Sequence, residues 1–101
     1  MSRLEQLQKL LVTEPDDAFL NFGLAMELAK SSRFDESLAQ FERVMQLDPN
    51  YIAAYFQKAK TLLTMGDDDA AKAELRRGIA QAQSCGEMHA KGEMEELLST
   101  L

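Results

Sequence analysis

The chain has 101 residues, 46% of them hydrophobic and 28% charged, with a formal net charge of −6 and a single cysteine, Cys85. That length holds one domain, and the composition is that of a folded protein and not of a disordered one. The acidic balance without any basic stripe argues against nucleic acid and anionic membrane surfaces as partners, and one cysteine cannot form an intrachain disulfide.

Leu4, Leu7, Leu10 and Leu11 recur at helical spacing opposite Glu5, Gln8 and Lys9, which predicts a first amphipathic helix over residues 2–13. Pro15 disfavours helical geometry at Glu14, and Asp16 or Asp17 can cap a second helix that runs to about Ser31. The apolar residues of this second helix, Phe19 to Ala29, cover more than one face, as in a helix that touches neighbours on two sides. Ser31-Ser32-Arg33 interrupts the pattern, and a third helix carries Phe34, Leu38, Phe41, Val44, Met45 and Leu47 up to Pro49. A fourth, with Ile52, Ala54, Tyr55, Ala59, Leu62 and Leu63, ends at Met65-Gly66, where glycine is the usual left-handed terminator. Asp67-Asp68-Asp69 opens a fifth helix, which has no proline at its expected end. Met88, Met94, Leu97, Leu98 and Leu101 predict a sixth after Gly86, weakened in its first half by Gly92. No segment has the uninterrupted apolar length of a membrane span or signal peptide, so a reducing cytoplasm is the expected setting; a cleaved leader would leave no trace.

Pro15 and Pro49 stand 34 residues apart, and the same shift places Phe22 on Phe56, Ala25 on Ala59, Leu28 on Leu62, Asp35 on Asp69, Ala39 on Ala73 and Arg43 on Arg77. With this period the chain resembles the tetratricopeptide repeat (TPR) family, in which stacked helical hairpins form an all-α solenoid. The signature places of that family fall on Asn21, Leu24, Ala25, Leu28, Ser37, Phe41, Val44 and Pro49, then on Tyr55, Lys58, Ala59, Leu62, Ala71, Leu75, Gly78 and Gln83. Asn21, Lys58 and Gln83 depart from the pattern. The resemblance implies one domain of about six helices: a preceding half-repeat helix at 2–13, repeats at 16–49 and 50–83, and a closing helix at 86–101. That last helix either leaves the inner face open or covers it.

In this family the first helix of each hairpin lines a concave groove that takes up extended peptides or partner helices. Carried over by position, the candidate binding residues are Phe19, Phe22, Met26 and Lys30 from the first repeat, and Phe56, Gln57, Lys60 and Leu63 from the second, with Ala29, Ala53 and Thr64 beside them. Phe22, Phe56 and Met26 suit an apolar anchor, and Lys30 and Lys60 suit a carboxylate. Phe22, Met26 and Gln57 stand where the carboxylate clamp of chaperone-binding members would need lysine and asparagines, so the resemblance does not extend to that activity.

Chemistry of other kinds finds little support. Asp67-Asp68-Asp69 lacks the alternating ligands of a calcium loop and is expected to cap a helix. Cys85, His89 and Glu93 fall four residues apart but are too few for a zinc site and have Gly86 between them. No glycine-rich phosphate loop is present. The expectation is a noncatalytic binding module, a scaffold or adaptor without metal or cofactor, whose partner is another protein. The competing expectation is a self-assembly module, because two repeats are fewer than the three a stable solenoid usually needs.

Overall fold

Six helices and no strands make up the computed structural model, which describes residues 1–101: α1 (Arg3–Thr13), α2 (Ala18–Lys30), α3 (Phe34–Leu47), α4 (Ile52–Thr64), α5 (Asp68–Cys85) and α6 (Met88–Ser99). Three of them, α1, α2 and α5, start at short polar side chains that accept otherwise unpaired amides. Ser2 and Glu5 form a reciprocal capping box, Asp17 accepts from the Leu20 amide at 2.9 Å, and Asp67 accepts from the Ala70 amide at 3.2 Å. Asp16 instead meets Arg43 of α3 at 2.7 Å.

Two kinds of turn alternate. After α2 and α4 the chain enters left-handed geometry at Ser32 (φ 57°) and Gly66 (φ 82°), one period apart. In both, an amide reaches five residues back at 2.9 Å, Arg33 to the Leu28 carbonyl and Asp67 to the Leu62 carbonyl. After α1 and α3 the proline turns close with Asp17 donating to the Glu14 carbonyl and Tyr51 to that of Asp48. The turn after α5 breaks this alternation. With no proline at Gln83, α5 continues to Cys85 and ends at Gly86 (φ 81°), so it is 18 residues long against 14 for α3.

Each helix packs on the next, and α4 also touches both α2 and α6, whereas the backbones of α1, α3 and α5 stand further apart, with α3 and α5 meeting through the Glu42 and Arg77 side chains. An inner row in contact and an outer row splayed apart is the geometry of a concave wall. The core is one cluster running from Ala25 in α2 to Met94 in α6, through Phe41, Val44, Tyr55, Ala59, Leu75 and Ala82. Small residues stand where backbones approach. A Cβ on Gly78 would lie 2.7 Å from both the Tyr55 Cβ and the Met94 sulfur.

Buried side-chain polar atoms are all paired. Ser37 donates to the Ala25 carbonyl at 2.7 Å. Asn21 and Tyr55 occupy the same repeat position and do the same work, donating to the carbonyls of Pro15 (3.1 Å) and Pro49 (3.0 Å) six residues back. Asn21 also donates to the Asp17 carbonyl and accepts from the Gln40 amide. Lys58 is mostly buried between Glu42 of α3 (2.7 Å) and Glu74 of α5 (3.4 Å), and Arg77 bridges the same two carboxylates. Two of the three positions that depart from the repeat pattern, Asn21 and Lys58, thus carry tertiary contacts.

One expectation of burial is met only in part. Leu7 is buried against Gly23, but Leu10 is 49% exposed and Leu11 half-buried, although their period mates Val44 and Met45 lie in the core. Val44 and Met45 sit in α3, which has an inner helix on each side. Only α2 packs against α1.

Candidate binding groove

The inner helices carry their side chains into three depressions that follow one another across the wall. The first is bordered by Arg3 of α1 and by Phe19, Phe22, Gly23, Met26, Glu27 and Lys30 of α2. The second lies between the C-terminal halves of α2 and α4, among Met26, Lys30, Phe34, Gln57, Lys60 and Thr61. The third lies between the N-terminal halves of α4 and α6, among Tyr51, Ala53, Phe56, Glu87, Ala90 and Glu93. A larger depression of about 490 Å³ rests against the outer side of α1, but its residues, Met1, Gln6, Lys9 and Leu10, come from one helix and its leading residues, which leaves it without a second wall.

Of the expected groove residues, Phe19, Phe22, Met26, Lys30, Phe56, Gln57 and Lys60 border these depressions, as do Ala29, Ala53 and Thr64. Leu63 is half-buried and borders none. Phe22 is braced from behind, edge-on to Phe41 with ring centroids 5.9 Å apart and tilted against Tyr51 at 5.0 Å. Phe19 is 69% exposed, too much apolar surface for a residue serving the core alone. The Lys60 ammonium sits 4.3 Å from the centre of the Phe56 ring. Lys30 reaches Glu27 at 3.5 Å, and Arg3 reaches the same carboxylate at 3.2 Å.

Tyr51, Glu87, Ala90 and Glu93 escape a reading by repeat position. The first lies in the turn before α4, Glu87 immediately precedes α6, and Ala90 and Glu93 belong to α6, which begins 36 residues after α4 while α4 begins 34 after α2. The two-residue slip is the net of four extra residues in α5 and a following turn two residues shorter, and it removes the register that located the other groove residues. Burial, with the carboxylates of Asp17 and Asp48 nearby, pushes the Tyr51 phenol above its ordinary range. The sixth helix stands beside α4 in the inner row, so it lengthens the wall and leaves the Phe22 and Phe56 side uncovered.

Cys85 and His89 do not share a helix, because the left-handed Gly86 separates α5 from α6. His89 and Glu93 meet at 3.2 Å on the surface. No three His, Cys, Asp or Glu side chains are grouped to hold a metal ion, and no helix is long and apolar enough to cross a membrane.

A stack of helical hairpins with an open inner row defines a helical-repeat protein, and comparison with known proteins places it further. A tetratricopeptide repeat model matches residues 28–91. The chain is 29% identical over 98 residues to a TPR repeat-containing protein of Pseudomonas aeruginosa, over 97% of this chain and 93% of that one. The solution structure of protein BPP2914 from Bordetella parapertussis is similar with a TM-score of 0.86 at 29% identity, over 99% and 87% of the two chains. The TPR2B domain of yeast Sti1, in a complex with pHsp70, is similar in fold, with a TM-score of 0.85 at 22% identity over 95% of this chain and 77% of that one. This chain belongs to the tetratricopeptide repeat family.

Proposed function

We propose that this protein is a noncatalytic binding module that holds a peptide or helix of another protein against the inner row of α2, α4 and α6. The observation that carries the reading is the position of α6, which extends the row and leaves Phe22, Met26 and Phe56 bordering open depressions. Braced aromatic rings lose little conformational entropy on binding and supply most of the contact area an anchor needs. The yeast domain shows that the same fold can occur in a complex with pHsp70, which is support by analogy of fold alone. Partners captured from the native cell extract are to be compared between the wild type, Phe56→Ala and an outer-surface control, Ala73→Glu. The reading expects loss of a partner from Phe56→Ala alone, with the variant still folded. Full retention by Phe56→Ala contradicts it.

A second reading, self-association, is favoured by the apolar surface on α1, where Leu10 and Val12 are exposed. Light scattering on a sizing column decides it, and a strictly monomeric protein at high concentration removes it.

A further inference from the structure

The groove described above is electrically polarised. The depression between α2 and α4 is bordered by two ammonium groups, Lys30 and Lys60, by the hydroxyls of Ser32, Thr61 and Thr64, and by no carboxylate. Lys60 forms no ion pair, and Lys30 has only the shared Glu27, itself already met by Arg3. Across α4, the depression between α4 and α6 has the opposite lining, with Glu87 and Glu93 and no cationic side chain. Glu87 makes no capping hydrogen bond and no ion pair, and Glu93 meets only His89. The aromatic floor of this second pocket, Tyr51 and Phe56, is the surface on which a lysine stem or a guanidinium packs. Phe56 borders the acidic pocket and Gln57 the cationic one, so the two meet at this stretch of α4.

We infer that the groove takes an extended peptide segment in one direction only, with an acidic residue between Lys30 and Lys60 and a lysine or arginine in the pocket of Tyr51, Phe56, Glu87 and Glu93. This rests on the groove reading and adds to it the chemistry and orientation of the ligand. The centres of the two pockets are about eight residues apart along α4, or about 12 Å at 1.5 Å per residue, and one helix spacing of about 9 Å apart across it. The diagonal between the centres is about 15 Å, against a Debye length of about 8 Å at physiological salt, and the Lys60 ammonium over the Phe56 ring marks where the cationic half meets the acidic one. An extended chain rising about 3.3 Å per residue covers that distance in about five residues. The segment therefore carries an acidic residue, an apolar residue over Phe56, and a basic residue within five or six positions. A reversed ligand brings like charges together at both ends, which is how charge complementarity fixes register.

The test is a library of random twelve-residue peptides displayed on phage, selected against the intact chain, with the selected peptides synthesised and measured by fluorescence anisotropy. Wild type is compared with Phe56→Ala and with a charge-exchanged protein carrying Lys30→Glu, Lys60→Glu, Glu87→Lys and Glu93→Lys. All four exchanged side chains are exposed, and the two half-exchanged proteins serve if the fourfold variant does not fold. The expected result is a common acid, apolar, base order, binding that is lost in Phe56→Ala, and a preference of roughly tenfold that reverses on charge exchange and shrinks with salt. Peptides that depend on Phe56 but show no fixed charge order, or bind the exchanged protein equally well, overturn the polarity and leave the groove reading standing. Peptides indifferent to Phe56, or no selected peptide at all, overturn both. A dimer of the chain alone that Phe56→Ala dissolves gives the groove to a second copy and overturns the peptide assignment.

Discussion

Gly78 of α5 lies close against both Tyr55 of α4 and Met94 of α6, and Gly78→Ala tests the packing that sets the groove's inner row. An added Cβ would meet the Tyr55 Cβ and the Met94 sulfur, each at 2.7 Å, and the Met94 methyl at 3.4 Å. Met94 can swing its sulfur away, but the Tyr55 Cβ is fixed to the α4 backbone. Relief to an ordinary contact near 3.5 Å therefore needs α4 and α5 to separate by several tenths of an ångström. Overpacking of a filled core costs about 1–3 kcal/mol, and replacing glycine inside a helix returns up to about 1 kcal/mol of propensity. The net expectation is a loss of about 1–2 kcal/mol, which for a chain of this size is a fall in melting temperature of roughly 5–15 °C. Thermal and urea unfolding followed by far-ultraviolet circular dichroism measures it. In the same protein Met94→Ala leaves a cavity and costs about 2–5 kcal/mol, and the double variant costs less than the sum because the two changes share a contact. A Gly78→Ala protein as stable as wild type, or more so, refutes the close approach and the placement of α6 that depends on it.

Three further outcomes follow from single side chains. Ser32 holds a left-handed turn that Gly66 makes without strain one repeat later, so Ser32→Gly is expected to raise stability by about 0.5–1 kcal/mol in urea unfolding; destabilisation would contradict the assigned turn. Asn21→Ala removes the donor to the Pro15 carbonyl and strips a partner from Gln40, a loss of about 1–3 kcal/mol by the same assay, where an unchanged midpoint would show the pairing to be idle. Hydrogen bonding to Arg77 first, and to Lys58 after it, holds the Glu42 carboxyl below the usual glutamate range. Its contribution is therefore complete above about pH 4.5 and is lost as pH falls through the lower folded value. Wild type is expected to lose more stability than Glu42→Gln on acidification below about pH 4.5, and equal losses would show that this pairing does not stabilise the fold.

The repeat was open to reading because it rests on residues that act locally. Pro15 and Pro49 end helices wherever they stand, and Ala25 and Ala59 permit close approach by size alone, so period and architecture could be read together. Asn21 and Lys58 looked like departures because a pattern records residue type and not hydrogen bonds. Asn21 reaches the same prolyl carbonyl as Tyr55, and Lys58 is held by carboxylates 16 residues away on either side, a pairing visible only in three dimensions. The place of α6 was open for a different reason. With no proline at Gln83, nothing in the sequence told whether α5 stopped there, and its four extra residues, offset in part by a turn two residues shorter, moved α6 out of register. Half of the groove lining could therefore be read by repeat position, while the acidic pocket against α6 could not. Leu10 and Leu11 show the converse: their spacing is right for burial, but burial needs a neighbour on the far side of α1.

The most direct measurement of the central claim is a map of amide and methyl resonance changes in this protein as a selected binding peptide is added. The account predicts changes concentrated at Phe22, Met26, Phe56, Lys60 and Ala90, along the faces of α2, α4 and α6 that border the depressions. Changes confined to the outer helices α1, α3 and α5, with the inner row silent, would contradict it.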